Sequence, residues 1–232
     1  MSKSPDIKWY DDRIEYLSGF MTPERAETLR SVLDNRTRYM AICMENTFHP
    51  QNASALVRHC DAFGVQDIYT IEELCKFKPN VNIVRGTDKW VTFRRHGSTT
   101  EALKALRSAG YRIIATTPHR CSATPETLDI EAGPFALVFG TEHAGISDET
   151  SRAADEFLQI PMHGFVESLN VSASAAILIY MLSQRIRQSN VAWNLSDEEK
   201  ALLLFEWMRR SVKDADRILA KFETQKSPTS SR

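Results

Sequence analysis

Short apolar runs recur through the middle of this chain, separated by stretches with helical spacing or a helix-start signal. The runs are Tyr39–Met44, Val65–Ile71, Trp90–Arg94, Arg112–Thr116, Phe135–Phe139 and Phe157–Ile160. Strands that are apolar on both faces belong in a sheet covered on both sides. Alternation with helices makes neighbouring strands parallel, because each crossover returns the chain to the same end. The pattern therefore predicts an α/β fold: a mostly parallel sheet with helices on both faces. The intervening helices are expected over Asn52–Phe63, from the Ser98-Thr99-Thr100-Glu101 capping box to Gly110, briefly at Ser147-Asp148-Glu149, and from about Ser168 to Arg187. In such sheets ligands sit beyond the carboxyl ends of the strands. That directs attention to the loops Asn46–Asn52, Thr116–Pro118, Gly140–Gly145 and Pro161–Ser168.

The flanks read differently. The N-terminal arm mixes charge with Trp9, Tyr10 and Tyr16 without clear periodicity, and a helix then starts at Thr22-Pro23-Glu24. Its inner face carries Ala26, Leu29 and Leu33; Arg25, Arg30 and Arg36 are expected outside. After Asn190, the capping box Ser196-Asp197-Glu198-Glu199 opens one appended helix carrying Leu203, Trp207 and Ile218 with Arg209, Arg210, Lys213 and Arg217. The Ser/Thr/Pro/Lys-rich tail from Gln225 is expected to be disordered. The expected organisation is an N-terminal helical extension (1–37), a sheet domain (38–189) and a C-terminal helical extension with its tail (190–232).

Composition narrows the partners. Lys+Arg 29 against Asp+Glu 30 in 232 residues rules out a generic polycation, leaving only local basic faces for nucleic acid. No apolar run approaches the roughly 20 residues of a membrane span, and no secretory signal is visible. Cys43, Cys60, Cys75 and Cys121 form no CxxC pair, so reduced thiols in a cytoplasmic protein are the expectation.

Three constellations remain. In Gly140-Thr141-Glu142-His143-Ala144-Gly145-Ile146-Ser147 the glycines have phosphate-loop spacing, but the lysine that should follow is absent and Glu142 would repel phosphate. What is left is a glycine-bracketed loop suited to close approach of a small ligand. The second runs from Asn52 to Gly64 and places Arg58 six residues after Asn52. The third, from Ile160 to Ala176, gathers Ser168, Asn170 and Ser172 at a helix start. Taken singly, each has an ordinary structural explanation: a salt-bridged surface arginine, a cap, a small-residue packing face.

Taken together and in this order, they resemble the three signature motifs of the SpoU/TrmH-type RNA 2′-O-ribose methyltransferases of the SPOUT superfamily. The matching residues are Asn52, Arg58, Ala62 and Gly64; the run from Phe139 to Ser147; and Ile160-Pro161-Met162 through Ser168-Leu169-Asn170-Val171-Ser172 to Ala176. The resemblance covers about residues 38–188. It implies a deep trefoil knot in the C-terminal part of the sheet, which general topology rules would not propose. It also implies S-adenosylmethionine as methyl donor, bound by Thr116, Thr117, Gly140, Ile160, Met162, Ser168 and Leu169, with no metal. Arg58, Asn52, Glu142, Ser168 and Asn170 would form the catalytic group. The family's homodimer would pack the last knot helix on its twin through Ser172, Ala173, Ala175 and Ala176, with Ile179 and Tyr180 beyond.

Within that resemblance, guanidinium is too basic to act as a literal base. Arg58 better suits stabilisation of the developing alkoxide. Gln51 stands where close tRNA-directed relatives often carry His, which bears on substrate placement. The chain lacks room for a separate N-terminal RNA-binding domain of about 70–100 residues. This favours tRNA, with methylation of a D-loop guanosine (position 18). The basic faces at Arg25, Arg30, Arg36 and Arg38, and at Arg209, Arg210, Lys213 and Arg217, would bind phosphates. The alternatives are ribosomal RNA as substrate, or a non-catalytic RNA-binding dimer.

Overall fold

The computed structural model describes residues 5–47, 49–141 and 144–226. In chain order the elements are α1 (Ile7–Ser18), α2 (Pro23–Leu33), β1 (Met40–Glu45), α3 (Pro50–Ala62), β2 (Asp67–Ile71), α4 (Val81–Val84), β3 (Thr92–His96), α5 (Thr99–Ser108), β4 (Arg112–Thr116), β5 (Phe135–Phe139), α6 (Asp148–Ala153), β6 (Glu156–Leu158), α7 (Val171–Gln188), α8 (Asp197–Ser211) and α9 (Ala215–Lys226). They form two compact units, residues 37–193 and residues 1–36 with 194–232.

The larger unit is built on a parallel sheet of strand order β3-β2-β1-β5-β4-β6. At its centre β1 and β5 pair from Met40↔Phe135 to Met44↔Phe139, and every residue of both strands is buried. Side chains alternate between the two faces, and each face has its own core. Met40, Ile42, Met44, Phe135, Leu137 and Phe139 pack with Leu56, Val57 and Cys60 of α3 and with Leu178, Ile179 and Leu182 of α7. Ala41, Cys43, Ala136 and Val138 pack on the other face with Ala102, Leu103 and Leu106 of α5. The expected mostly parallel sheet, covered on both faces, is the one observed.

Element boundaries differ from expectation where an edge or a cap decides them. The third strand is Thr92–His96 rather than Trp90–Arg94, because Trp90 closes a short 3-10 turn, its N–H donating to the Thr87 carbonyl at 3.0 Å. As an edge strand β3 has no fully buried residue, which weakens its apolar signal. α7 begins at Val171 instead of Ser168 because Asn170 caps it, accepting from the Ser172 N–H at 2.8 Å. Within α7 the small-residue stripe is divided: Ala175 and Ile179 are buried in the core of their own chain, whereas Tyr180 is 52% exposed. Ala175 and Ile179 therefore cannot serve the outward-facing role expected of them.

The smaller unit departs most from expectation. The aperiodic N-terminal arm is a helix, α1, capped by Asp6, whose carboxylate accepts from the Trp9 N–H at 2.8 Å. Its buried face includes a charge: Arg13 lies over the Trp9 ring at 3.6 Å and pairs with Glu223. That hides the apolar period from a sequence reading. Trp9 also meets Phe205 of α8 edge-on, with 5.4 Å between ring centroids. α2 is capped by Thr22 and starts with Pro23, as expected. Arg36 is not on the exposed face of this helix; it follows the helix end, is 1% exposed, and sits over Trp207 at 5.2 Å.

The single appended helix is two. α8 has the full reciprocal capping box between Ser196 and Glu199, but the chain turns extended at Val212 and left-handed at Asp214 (φ 57°) before α9 begins. Gln225 and Lys226, expected in a disordered tail, are the last residues of α9; the rest of that tail lies outside the described residues.

Candidate active site

The carboxyl ends of β4, β5 and β6 open onto a cavity of about 380 Å³, within the range of small-molecule sites. Its walls come from segments far apart in the chain. Thr116 and Thr117 follow β4, Gly140 and Thr141 follow β5, Ile160 and Met162 follow β6, and Ser168, Leu169 and Asn170 lead into α7. All seven residues expected to hold the methyl donor therefore line one space. Phe139, Ile146, Leu158 and Leu178 add apolar wall, and Glu167 adds a carboxylate. The expected site did not include these five; Glu167 directly precedes Ser168 in the third motif, and that adjacency is the signal that could have found it.

The loop after β5 is built so that no side chain fits at its first residue. A Cβ at Gly140 would lie 2.0 Å from the Gly145 carbonyl carbon and 2.1 Å from the Ile146 nitrogen. The loop folds back on itself through Thr141 N–H to Gly145 C=O at 2.8 Å and the reverse bond at 3.1 Å, with Gly145 left-handed at φ 70°. Glu142, expected in the catalytic group, lies outside the described residues.

Asn52 is buried near the start of α3 and accepts from the Asn170 side-chain amide at 3.2 Å, joining the first motif to the third. Arg58 behaves differently. It is exposed, does not line the cavity, and donates to the Ile83 carbonyl at 3.2 Å. The next residue, His59, is half-buried; burial and then the charge of Arg58 hold its imidazole below the usual value, opposed by the Ser172 backbone. Cys43 is fully buried, and burial, then the charge of Glu45, raises its thiol far out of the nucleophilic range. Among the described residues no cluster of three His, Cys, Asp or Glu side chains could hold a metal.

The expected phosphate-binding cations are not equivalent. Arg25, Arg30, Arg209, Arg210, Lys213 and Arg217 are exposed. Arg209 pairs with Asp216 at 2.5 Å and Arg210 with Glu206 at 3.5 Å. Arg38 is tucked against the buried Asp67 carboxylate at 3.2 Å, so with Arg36 it leaves the expected basic face. Each charge is taken up by a distant partner within its own unit, Arg36 by the Trp207 ring and Arg38 by the Asp67 carboxylate. No helix among the described residues is long and apolar enough to cross a membrane.

Residues 39–180 match the SpoU rRNA Methylase family. The chain belongs to that family. It is 36% identical over 202 residues to the tRNA (guanosine(18)-2′-O)-methyltransferase of Borreliella burgdorferi, spanning 87% of this chain and 92% of the relative. The crystal structure of the Aquifex aeolicus TrmH/SpoU tRNA modifying enzyme superposes with a TM-score of 0.71 at 32% identity, covering 82% of this chain and 98% of that one. A 23S rRNA (guanosine-2′-O-)-methyltransferase from a Burkholderia species is 29% identical over 169 residues, 71% of this chain and 67% of the relative. The SpoU match begins at the residue before β1 and ends within α7, so it contains every wall of the cavity.

Proposed function

We propose that this SpoU-family enzyme transfers a methyl group to the 2′-oxygen of the guanosine at position 18 in the tRNA D-loop, with S-adenosylmethionine as donor. One observation carries the reading. The second and third sequence motifs wall one cavity at the carboxyl ends of parallel strands, and the first is hydrogen-bonded to the third across 118 positions. tRNA is favoured over ribosomal RNA because the tRNA-directed relative aligns with 87% of the chain and the rRNA-directed one with 71%.

The residues present suit the donor. The Gly140 cradle admits a ligand against bare backbone, the apolar wall of Phe139, Ile146, Leu158 and Ile160 suits a ring, and Thr116, Thr117 and Ser168 offer hydroxyls. Glu167 offers a negative charge to a cationic ligand. When bound, S-adenosylmethionine supplies a methyl group made electrophilic by its sulfonium. The protein must then orient the ribose and stabilise its oxygen as the hydroxyl proton passes to an RNA phosphate or water. Arg58 provides that stabilisation: its guanidinium cannot easily give up a proton, but it offsets negative charge on oxygen. Its exposed hydrogen bond to the Ile83 carbonyl leaves it able to turn towards RNA. Asn52 fixes Asn170, and Asn170 with Ser168 shapes the cavity wall. Partial exclusion of water favours the step, because two opposite charges disappear in it.

The family's trefoil knot belongs to this proposal, as does its homodimer. In favour of the dimer, Phe165, Val166, Leu169 and Tyr180 are large apolar side chains left exposed on the third motif and α7. Arg25, Arg30, Arg209, Arg210, Lys213 and Arg217 are the cations proposed to meet RNA phosphates.

Label transfer from S-adenosylmethionine to unmodified tRNA transcripts and to a ribosomal RNA fragment tests the reading. Label at the 2′-oxygen of guanosine 18 is the expected result; label confined to ribosomal RNA overturns the substrate, and label on neither overturns the activity.

A further inference from the structure

Next to the cavity the fold buries a carboxylate that the proposed chemistry does not use. Glu45, the last residue of β1, is 1% exposed. Its Oε1 accepts from the Ser147 hydroxyl at 2.7 Å, the Thr150 hydroxyl at 2.7 Å and the Thr99 hydroxyl at 3.5 Å; its Oε2 accepts from the Ser147 N–H at 2.9 Å. The donors are hydroxyls and an amide, not a cation. Burying such a group is costly unless its lone pairs are met, and the bonds that meet them are stronger than neutral ones. Removing the acceptor would also leave the fully buried Thr150 hydroxyl without it.

Position gives this cluster its meaning. Ser147 is the residue after Gly145 and Ile146, which wall the cavity. The loop leaves the sheet at Phe139, which is in register with Met44 of β1. It ends at Ser147, which is held by Glu45, the very next residue of β1. Two consecutive residues of one strand therefore anchor both ends of the loop. Ser147 directly follows Ile146 in the chain, and the backbone of Gly145 and Ile146 lies against Gly140 with no room for a Cβ. Thr141 and Gly145 exchange backbone hydrogen bonds at 2.8 and 3.1 Å, so the placement of Ser147 bears directly on the cavity wall. Ser147 also accepts from the Thr150 N–H at 3.1 Å, tying the first turn of α6 to the same anchor.

We infer that Glu45 is a positioning residue for the methyl donor, holding Ser147 against the end of β1 so that the backbone of Gly145 and Ile146 forms its part of the cavity wall. The inference rests on the reading that this cavity takes S-adenosylmethionine.

Calorimetric titration of the full chain with S-adenosylmethionine, alongside thermal melting and the KM for tRNA, tests it. Glu45→Ala is expected to raise the donor Kd at least tenfold in folded protein, with the KM for tRNA within twofold of the parent. Glu45→Gln, whose amide oxygen still accepts from Ser147 and whose NH2 meets the hydroxyls, is expected to recover part of that loss. Thr150→Val removes one hydroxyl at constant shape and is expected to cost about threefold, with no added cost in the Glu45→Ala background. Folded variants that bind donor like the parent overturn the inference, leaving Glu45 a purely structural group. If Glu45→Ala does not fold, Thr150→Val decides alone. Failure of the parent chain to bind donor overturns the underlying reading, and is seen before any variant is made.

Discussion

Arg58 and His59 are adjacent on α3 and differ in what the fold asks of them. Arg58 is exposed and bonded to a backbone acceptor, so its replacement should cost the fold little. Arg58→Ala is expected to lower kcat for tRNA methylation by roughly 10²–10³-fold, as loss of an oxyanion-stabilising group does. Donor Kd and the urea midpoint should stay at parent values; a variant that loses donor binding instead would make Arg58 structural. His59 is half-buried, and its folded-state pKa lies below the unfolded value of about 6.5. The folded chain thus binds fewer protons than the unfolded one below that pH. Its contribution is complete above pH of about 6.5 and is lost as the pH falls towards the lower folded value. Urea unfolding at pH 7.5 and 5.5 should show a larger drop for the parent than for His59→Gln, and equal drops would refute the assignment.

At the scale of elements, caps set the boundaries that matter for the site. Asn170 caps α7, holds Asn52 and lines the cavity, whereas Ser196 caps α8 in a capping box and touches none of these. Asn170→Ala and Ser196→Ala should each cost about 1 kcal/mol in urea unfolding. Only Asn170→Ala should also weaken donor binding, and equal binding by the two variants would separate the cap from the site. The same comparison explains what can be read from sequence. Thr22, Ser98, Ser147 and Ser196 announce their helices because a cap is encoded within four residues. α1 does not announce itself: Arg13 takes an interior place, and its acceptability depends on Glu223, 210 positions away.

At the scale of the whole molecule, the question is which cations meet RNA. Lys213 and Arg217 are exposed, whereas Arg209 and Arg210 are partnered by Asp216 and Glu206. Charges already neutralised release fewer counterions on binding. The slope of log K for tRNA against log salt should therefore become shallower by about one to two units in Lys213→Ala/Arg217→Ala. The change in Arg209→Ala/Arg210→Ala should be smaller. Filter binding across a salt series measures both, and the reverse order would mean that the RNA breaks those ion pairs on docking.

The alternation of apolar strands with capped helices and the three motifs are local facts, each contained in a few consecutive residues. For that reason the fold class was legible from the sequence alone; the seven positions that line one cavity were named through the family resemblance that the motifs carry. Other outcomes came from pairings between distant residues. Arg36 is interior because Trp207 is there to receive it, Arg38 because of Asp67, and Ile179 because α7 lies on the sheet. Arg58 lies outside the cavity walls and donates to the Ile83 carbonyl, 25 positions on. Glu45, one acidic residue at a strand end, becomes an anchor only when Ser147, 102 positions on, folds back against it. Backbone period and capping are decided within one element, whereas the burial of a charge is decided by whichever groups tertiary packing brings to it.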